Sequence, residues 1–324
     1  MKYARIIGAV LLTMVMLYIA RRNSVGAPEH FATAVGQYQF DMETVPKGLE
    51  NGDTTIRVDV VGPFDLGQRV VLQLAKAPVV GTEPSVVSVP MTRKELGSSE
   101  YYLKVPVGAR GEKVHYFIAV TDSSGADLSR FSRPDGSPFV LRSIGHVPKL
   151  VLIFHIAFIF ATFFCVAMAA LSALALIAGK TDVRGMAVWF LGATICAFVG
   201  GYPFGFAMNY FAFGGLWEGV PFGTDATDNK TQILLIYVLF VTLAAIGSLT
   251  KGKVGRDVFS PRTLGWFGVI GFLLQMSIYL IPHSIQYSAS LTYSVCYGYT
   301  AAIVLIYIVG WLKSRSKAPV PVPR

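Results

Sequence analysis

The chain alternates between long uncharged stretches and short runs in which apolar and polar positions alternate. A first apolar run covers residues 6–20, preceded by two basic residues and followed directly by Arg21 and Arg22. Such a run is typical of a signal sequence or a signal anchor, and the two arginines disfavour cleavage after Ala27. We therefore predict an uncleaved membrane anchor over 1–22 with its N-terminus in the cytoplasm.

Residues 31–145 carry apolar positions of period two, broken by turn residues. The runs are TTIRVDVVG, RVVLQLAKA, SVVSVPM, YYLKVPV and VHYFIAVTD. About seven strands at this spacing predict an all-β sandwich of two sheets. The segment VHYFIAVTDSSGAD resembles the penultimate strand and turn of immunoglobulin or fibronectin type III modules, which implies an immunoglobulin-like fold and a docking role.

Long apolar stretches dominate the rest of the chain after the linker GHVPK. Their lengths predict five membrane-spanning helices, because about 20 apolar residues cross a bilayer. The expected fold is an α-helical transmembrane bundle over 149–313, joined to the anchor and the inserted β-sandwich, with a basic tail over 314–324. The helices are predicted at 150–178, 186–210, 231–249, 264–282 and 291–312.

Charge distribution predicts the orientation. The chain of 324 residues is 53% hydrophobic and 15% charged, with a net charge of +9. Lys and Arg concentrate at the N-terminus, in the loops 180–184 and 251–262, and in the tail, so these are predicted to be cytoplasmic. The sandwich and residues 214–230 are then periplasmic in a multi-pass protein of the bacterial inner membrane. The membrane topology accounts for the net charge of +9, so no nucleic-acid partner is expected.

One polar loop interrupts the membrane part, GGLWEGVPFGTDATDNKTQ over 214–232. Its candidate binding residues are Trp217, Glu218, Asp225, Asp228, Asn229 and Lys230. One interpretation is structural, with Asn229 and Gln232 forming a capping box and Lys230 paired with one of the loop carboxylates. The other is a ligand site, and the aromatic residues around the loop could line an apolar or quinone pocket.

Two histidines are predicted at the same face of the membrane as this loop. His155 lies near the start of the predicted helix 150–178, and His283 lies at the end of the predicted helix 264–282, in YLIPHS. Together with Asp225 and Asp228 they could bind a metal ion, or the two histidines could ligate haem b. No HxxxH or HExxH motif supports either, and the alternative is that His283 caps a helix while His155 bonds across the bundle.

Three segments resemble an uncharacterised family of bacterial polytopic membrane proteins: VPKLVLIFHIAFIF, FGGLWEGVPFGTDATDNKT and YLIPHS. The resemblance covers 150–285, and its most specific part is the WxGxPFGxDxTDNK loop. It implies that the two histidines and the loop residues form one unit, but it implies no reaction. The following IQYSAS lacks the acidic residue expected there.

These observations predict an accessory or binding subunit of an envelope or electron-transfer assembly. Its sandwich docks a periplasmic protein partner, and its membrane part, embedded in the lipid bilayer, carries the polar site. A metal- or haem-dependent membrane oxidoreductase is the alternative function, and a small-solute transporter is the third. No catalytic motif and no inverted repeat favours either of these.

Overall fold

A computed structural model describes residues 2–24, 28–75, 86–251, 256–281 and 287–316. The chain forms two compact units. One comprises Met1–Val25, Pro148–Asn209 and Leu216–Arg324, and the other comprises Gly26–Val147 and Tyr210–Gly215. The second unit thus contains a short segment that the sequence assigned to the membrane part.

The unit built on residues 28–147 is a β-sandwich of two sheets, as predicted. One sheet has the order β1-β2-β4-β8-β7, and the other has the order β3-β11-β9-β5-β6, with β10 also paired to β9. The described residues hold eleven strands, so the expected number of about seven is too low. The strands are β1 (His30–Val35), β2 (Tyr38–Glu43), β3 (Lys47–Leu49), β4 (Asp53–Val61), β5 (Arg69–Ala75), β6 (Val86–Pro90), β7 (Thr92–Arg93), β8 (Glu100–Pro106), β9 (Lys113–Thr121), β10 (Asp127–Phe131) and β11 (Phe139–Ile144).

The sandwich core follows from period-two alternation. In β2, Tyr38, Phe40 and Met42 are buried while the residues between them are exposed, because successive side chains point to opposite faces. Phe40 stacks on Phe131 with ring centroids 5.0 Å apart. The segment Tyr210–Gly215 packs onto this unit: the Gly145 N–H donates to the Ala212 carbonyl at 2.9 Å, and the Arg142 guanidinium lies 3.7 Å from the centre of the Phe213 ring.

The other unit is helical. Among the described residues, four stretches are long and apolar enough to cross a membrane, Lys149–Ile177, Arg184–Phe213, Pro261–Leu280 and Ala289–Ser316. The apolar part of the first helix, Arg5–Ala20, is shorter. The predicted set of one anchor and five spans is therefore not established. The helices are α1 (Lys2–Ser24), α2 (Lys149–Ile177), α3 (Arg184–Gly201), α4 (Pro203–Phe213), α5 (Ala226–Ala244), α6 (Ile246–Lys251), α7 (Pro261–Leu280) and α8 (Ala289–Ser316).

Two predicted helices are interrupted. The expected helix 186–210 ends at Gly201 and resumes at Pro203, because proline lacks the N–H that an α-helix needs in its interior. The expected helix 231–249 begins five residues earlier, at Ala226, and breaks after Ala244. Small residues let α2 and α7 pack closely, since a Cβ on Gly268 of α7 would lie only 2.5 Å from that of Ala173 of α2.

Candidate functional site

The loop before α5 is held by a helix cap at Asp225. Its Oδ1 accepts hydrogen bonds from the N–H groups of Thr227 and Asp228, at 2.8 and 3.0 Å. These bonds satisfy two of the free donors at the helix N-terminus. The predicted capping box beginning at Asn229 is therefore wrong, because the helix starts one turn earlier than its apolar stretch suggests.

Asp228 joins three parts of the helical unit. It is 8% exposed. Its two carboxylate oxygens lie 3.0 and 3.1 Å from Asn209 Nδ2, and Oδ2 also accepts the Glu218 N–H at 2.6 Å. The carboxylate thus links the end of α4 and the loop to the first turn of α5. Sequence reasoning missed Asn209, although a single amide at the end of an otherwise apolar stretch was a usable signal.

Asn229 and Trp217 fold the loop around Val220. Asn229 Oδ1 accepts the Val220 N–H at 2.8 Å, and Trp217 Nε1–H donates to the Val220 carbonyl at 3.2 Å. Both backbone groups of Val220 are therefore satisfied inside the loop. A Cβ at Gly219 would come within 2.8 Å of Asp228 Cβ, so this close approach requires glycine.

Lys230 is also buried, at 9% exposure. Its Nζ donates to the carbonyl of Ile281, the C-cap of α7, at 2.9 Å. None of the ion pairs found within 4.0 Å among the described residues includes Lys230, and the negative charge of Asp225 attracts its ammonium group from farther away. The predicted pairing with Asp225, Asp228 or Glu218 therefore stays a prediction. The ammonium group lies at the negative end of the α7 dipole, which is favourable for a cation.

His155 also bonds to backbone. Its Nδ1 lies 2.9 Å from the Gly200 carbonyl oxygen, which can only accept, so Nδ1 carries the proton. Gly200 stands just before the break between α3 and α4, where the proline at position 203 interrupts the helical bonding pattern. The bond across to α3 agrees with the structural interpretation of His155.

The metal and haem hypotheses stay predictions. His283 lies outside the described residues. Within the described ranges, no group of three or more His, Cys, Asp and Glu side chains could hold a metal ion. The predicted ligands Asp225 and Asp228 accept hydrogen bonds from backbone and from Asn209, as described above, and these bonds already account for their positions.

An aromatic cavity of about 510 Å³ adjoins the loop. The Trp217 ring stacks on Tyr202 with centroids 5.3 Å apart and meets Phe206 edge-on at 5.8 Å. Phe222, at the rim, is 84% exposed. This arrangement agrees with the predicted aromatic lining, and it offers apolar contact surface with few polar groups for catalysis.

Burial raises the pKa of Asp228 to about 6, and the hydrogen bond from the Glu218 N–H partly opposes this shift. Asp228 precedes the apolar part of α5, which starts at Ile233. Its carboxylate is thus largely ionised at neutral pH and gains a proton in mild acid. A group that is buried and internally bonded in this way holds the loop together.

Comparison with known proteins adds no family. No protein-family model matches the chain, and no curated protein matches it. The resemblance over 150–285 to a bacterial membrane family therefore stays a prediction, as does the immunoglobulin-like assignment of the sandwich.

Proposed function

We propose that this protein is a noncatalytic accessory subunit of the bacterial inner membrane whose β-sandwich docks a partner protein in the periplasm. The partner adds a strand to the open edge of β6. The charge distribution of the sequence supports the periplasmic orientation, and the four long apolar helices support the membrane location.

The backbone of β6 carries the proposal. Among the strands of the described residues, β6 ends its sheet and pairs with β5 alone. The Met91 N–H donates to the Val70 carbonyl at 2.9 Å, which sets the alternation of bonded and non-bonded pairs along the two strands. Ser88, opposite Gln73, falls in a non-bonded pair. Its N–H and C=O therefore point away from β5, where a further strand can bind them.

The side chains of β6 carry no charge, and Pro90, at the end of the strand, is the residue in it that offers no N–H. Natural edge strands usually carry charged residues that prevent pairing with other chains. The sequence of β6 is Val-Val-Ser-Val-Pro, without charge, and Val86 and Val87 are 44% and 48% exposed. Main-chain hydrogen bonds together with apolar contacts are what strand addition requires of an edge.

The polar loop supports a noncatalytic role. Asp225, Asp228 and Asn229 each place at least one side-chain oxygen on a backbone N–H, so their positions are explained by folding alone. A catalytic acid or base must instead reach the proton of a substrate. The side chains of Asp225, Asp228 and Asn229 are instead bonded to the loop and to the start of α5.

A proline substitution tests the docking edge. In Ser88→Pro the outward N–H is lost while every bond to β5 remains, and Ser88→Ala keeps the N–H as a matched control. A photoreactive residue at Val87 in full-length protein in native membranes should crosslink to one partner in the wild type and in Ser88→Ala. The crosslink should disappear in Ser88→Pro.

Retention of the crosslink in Ser88→Pro would refute strand addition. A wild type that crosslinks to nothing in native membranes would refute the docking function itself. Thermal unfolding of both variants checks that the sandwich is intact, since proline at an outward position of an edge strand is tolerated.

A further inference from the structure

We propose that a groove between the N-terminus of α7 and the C-terminal half of α8 binds one anionic phospholipid. The groove has a volume of about 880 Å³. Its walls come from the segment Arg256–Thr263 and from one side of α8. The inference is independent of the docking function, because it rests on the helical unit alone.

The lining of α8 changes from apolar to polar along the helix. Leu305, Ile306 and Val309 come first, and Lys313 and Ser314 follow. From Leu305 to Ser314 these residues span about 13.5 Å at 1.5 Å per residue. An acyl chain beside the first three and a headgroup beside the last two would match this gradient, and a free inorganic anion would leave the apolar part unfilled.

The charged side chains that line the groove are mostly basic. Arg256 and Lys313 are among them, and both side chains are exposed. Ser260 and Thr263, at the N-terminus of α7, also line the groove, and Ser260 Oγ accepts the Thr263 N–H at 3.3 Å. Cationic side chains and a helix N-terminus together favour a phosphate group.

One carboxylate, that of Asp257, also lines the groove. Its two oxygens accept hydrogen bonds from the Ser248 N–H at 2.7 Å and from the Ser248 hydroxyl at 2.6 Å. Both oxygens of Asp257 are thereby bonded to Ser248 in α6. With two basic residues and this one carboxylate, the lining has a net positive charge. This balance selects an anionic lipid over a zwitterionic one.

The back of the groove is formed by close packing at Gly310. A Cβ at this position would collide with the ring of Phe259, so only glycine lets α8 lie against that ring. The apolar lining nevertheless stays accessible, with Leu305 62% and Val309 41% exposed. Because α8 is long and apolar enough to span a membrane, hydrocarbon is the solvent expected at these side chains.

Lipid titration of the full-length protein in lipid-free detergent tests the proposal. Dioleoylphosphatidylglycerol should give one tightly bound lipid by native mass spectrometry and a rise in the melting temperature. Dioleoylphosphatidylcholine and inorganic phosphate should give neither. The double variant Arg256→Gln/Lys313→Gln should raise the apparent Kd for phosphatidylglycerol about 30-fold, the effect of two basic residues at an anionic headgroup.

Two further variants separate the parts of the site. Lys180→Gln/Arg184→Gln removes the same charges from exposed positions outside the groove and should change the Kd less than threefold. Ile306→Trp fills the apolar part and should weaken lipid binding with both basic residues intact. Equal binding of the two phospholipids, equal weakening in the control, or a full melting shift with phosphate alone would each overturn the proposal.

Discussion

Asp228, at the start of α5, is 8% exposed and binds Asn209 and the Glu218 backbone, whereas Lys313, near the end of α8, is exposed beside an open groove. Both are charged residues near the end of a helix in the same unit. The first has its interactions inside the protein. The second lies where a ligand from outside can reach it.

The difference between Asp228 and Lys313 shows how a charged residue that stabilises the fold can be distinguished from one that binds a ligand. Removing a buried, bonded charge leaves its partners without hydrogen bonds, which costs stability. Removing an exposed charge changes the fold little, but it changes the affinity for an oppositely charged ligand. A substitution at Asp228 should therefore lower stability, whereas a substitution at Lys313 should lower ligand affinity.

The largest effect is expected for Asp228→Ala. The substitution removes the buried carboxylate and leaves the half-buried Asn209 amide and Glu218 N–H without this acceptor, so the free energy of unfolding should fall by about 3 kcal/mol. Denaturation by SDS in mixed micelles measures it. A loss below about 1 kcal/mol would show that the loop does not depend on this carboxylate.

A pH effect of intermediate size should come from the same residue. Its folded-state pKa of about 6 lies above the value of 3.8 for an unperturbed aspartate. The folded protein therefore holds this proton more tightly than the unfolded chain, and the contribution of Asp228 to stability rises as the pH falls from 7.5 to 5. We expect a gain of about 1 kcal/mol from this group over that range.

The free energy of unfolding of the wild type minus that of Asp228→Asn, measured at both pH values, isolates this contribution. The difference removes the other titrating groups, which are common to both proteins. A difference that does not change with pH would mean that Asp228 titrates outside this window.

A smaller effect is expected at the cap. Asp225→Ala removes the acceptor for two backbone N–H groups and should cost about 1 kcal/mol, while Asp225→Asn keeps a good cap and should cost a few tenths. The same micelle titration gives both values. If both variants lost as much stability, the charge of Asp225 rather than its capping oxygen would matter.

The smallest effect on folding is expected in the groove. Lys313→Gln should change the free energy of unfolding in lipid-free detergent by less than about 0.5 kcal/mol, because this side chain is exposed. Thermal melts without added lipid check this. A large loss there would assign Lys313 to the fold and erase the contrast with Asp228.

The sequence predicted the sandwich well, because period-two alternation is local. It placed TTIRVDVVG in β4 and VHYFIAVTD in β9; β4 buries alternate residues, whereas the last four residues of β9 are all buried. It undercounted the strands because short ones such as Thr92–Arg93 carry no periodic signal. It also missed the break at the proline of position 203, although that residue by itself warned of one.

The candidate site was predicted in part. The sequence singled out Asp228, Asn229 and Lys230 as unusual, and all three are buried. Their partners were not predictable, since Asn209 and Ile281 lie far away along the chain and show no local pattern. The sequence suggested a carboxylate partner for Lys230, and it could not show that the carbonyl of Ile281, at the end of α7, accepts the hydrogen bond from its Nζ.

By itself, the sequence determined the two classes of structure in this protein, apolar helices and a β-sandwich, because both follow from local periodicity and hydropathy. Only the tertiary structure decided which charges are satisfied. The spacing between residues 209, 218 and 228 is set by how α4, the loop and α5 pack, and the groove of Arg256 and Lys313 exists only because α8 lies against Phe259. Such contacts depend on distances in space that a one-dimensional pattern does not contain.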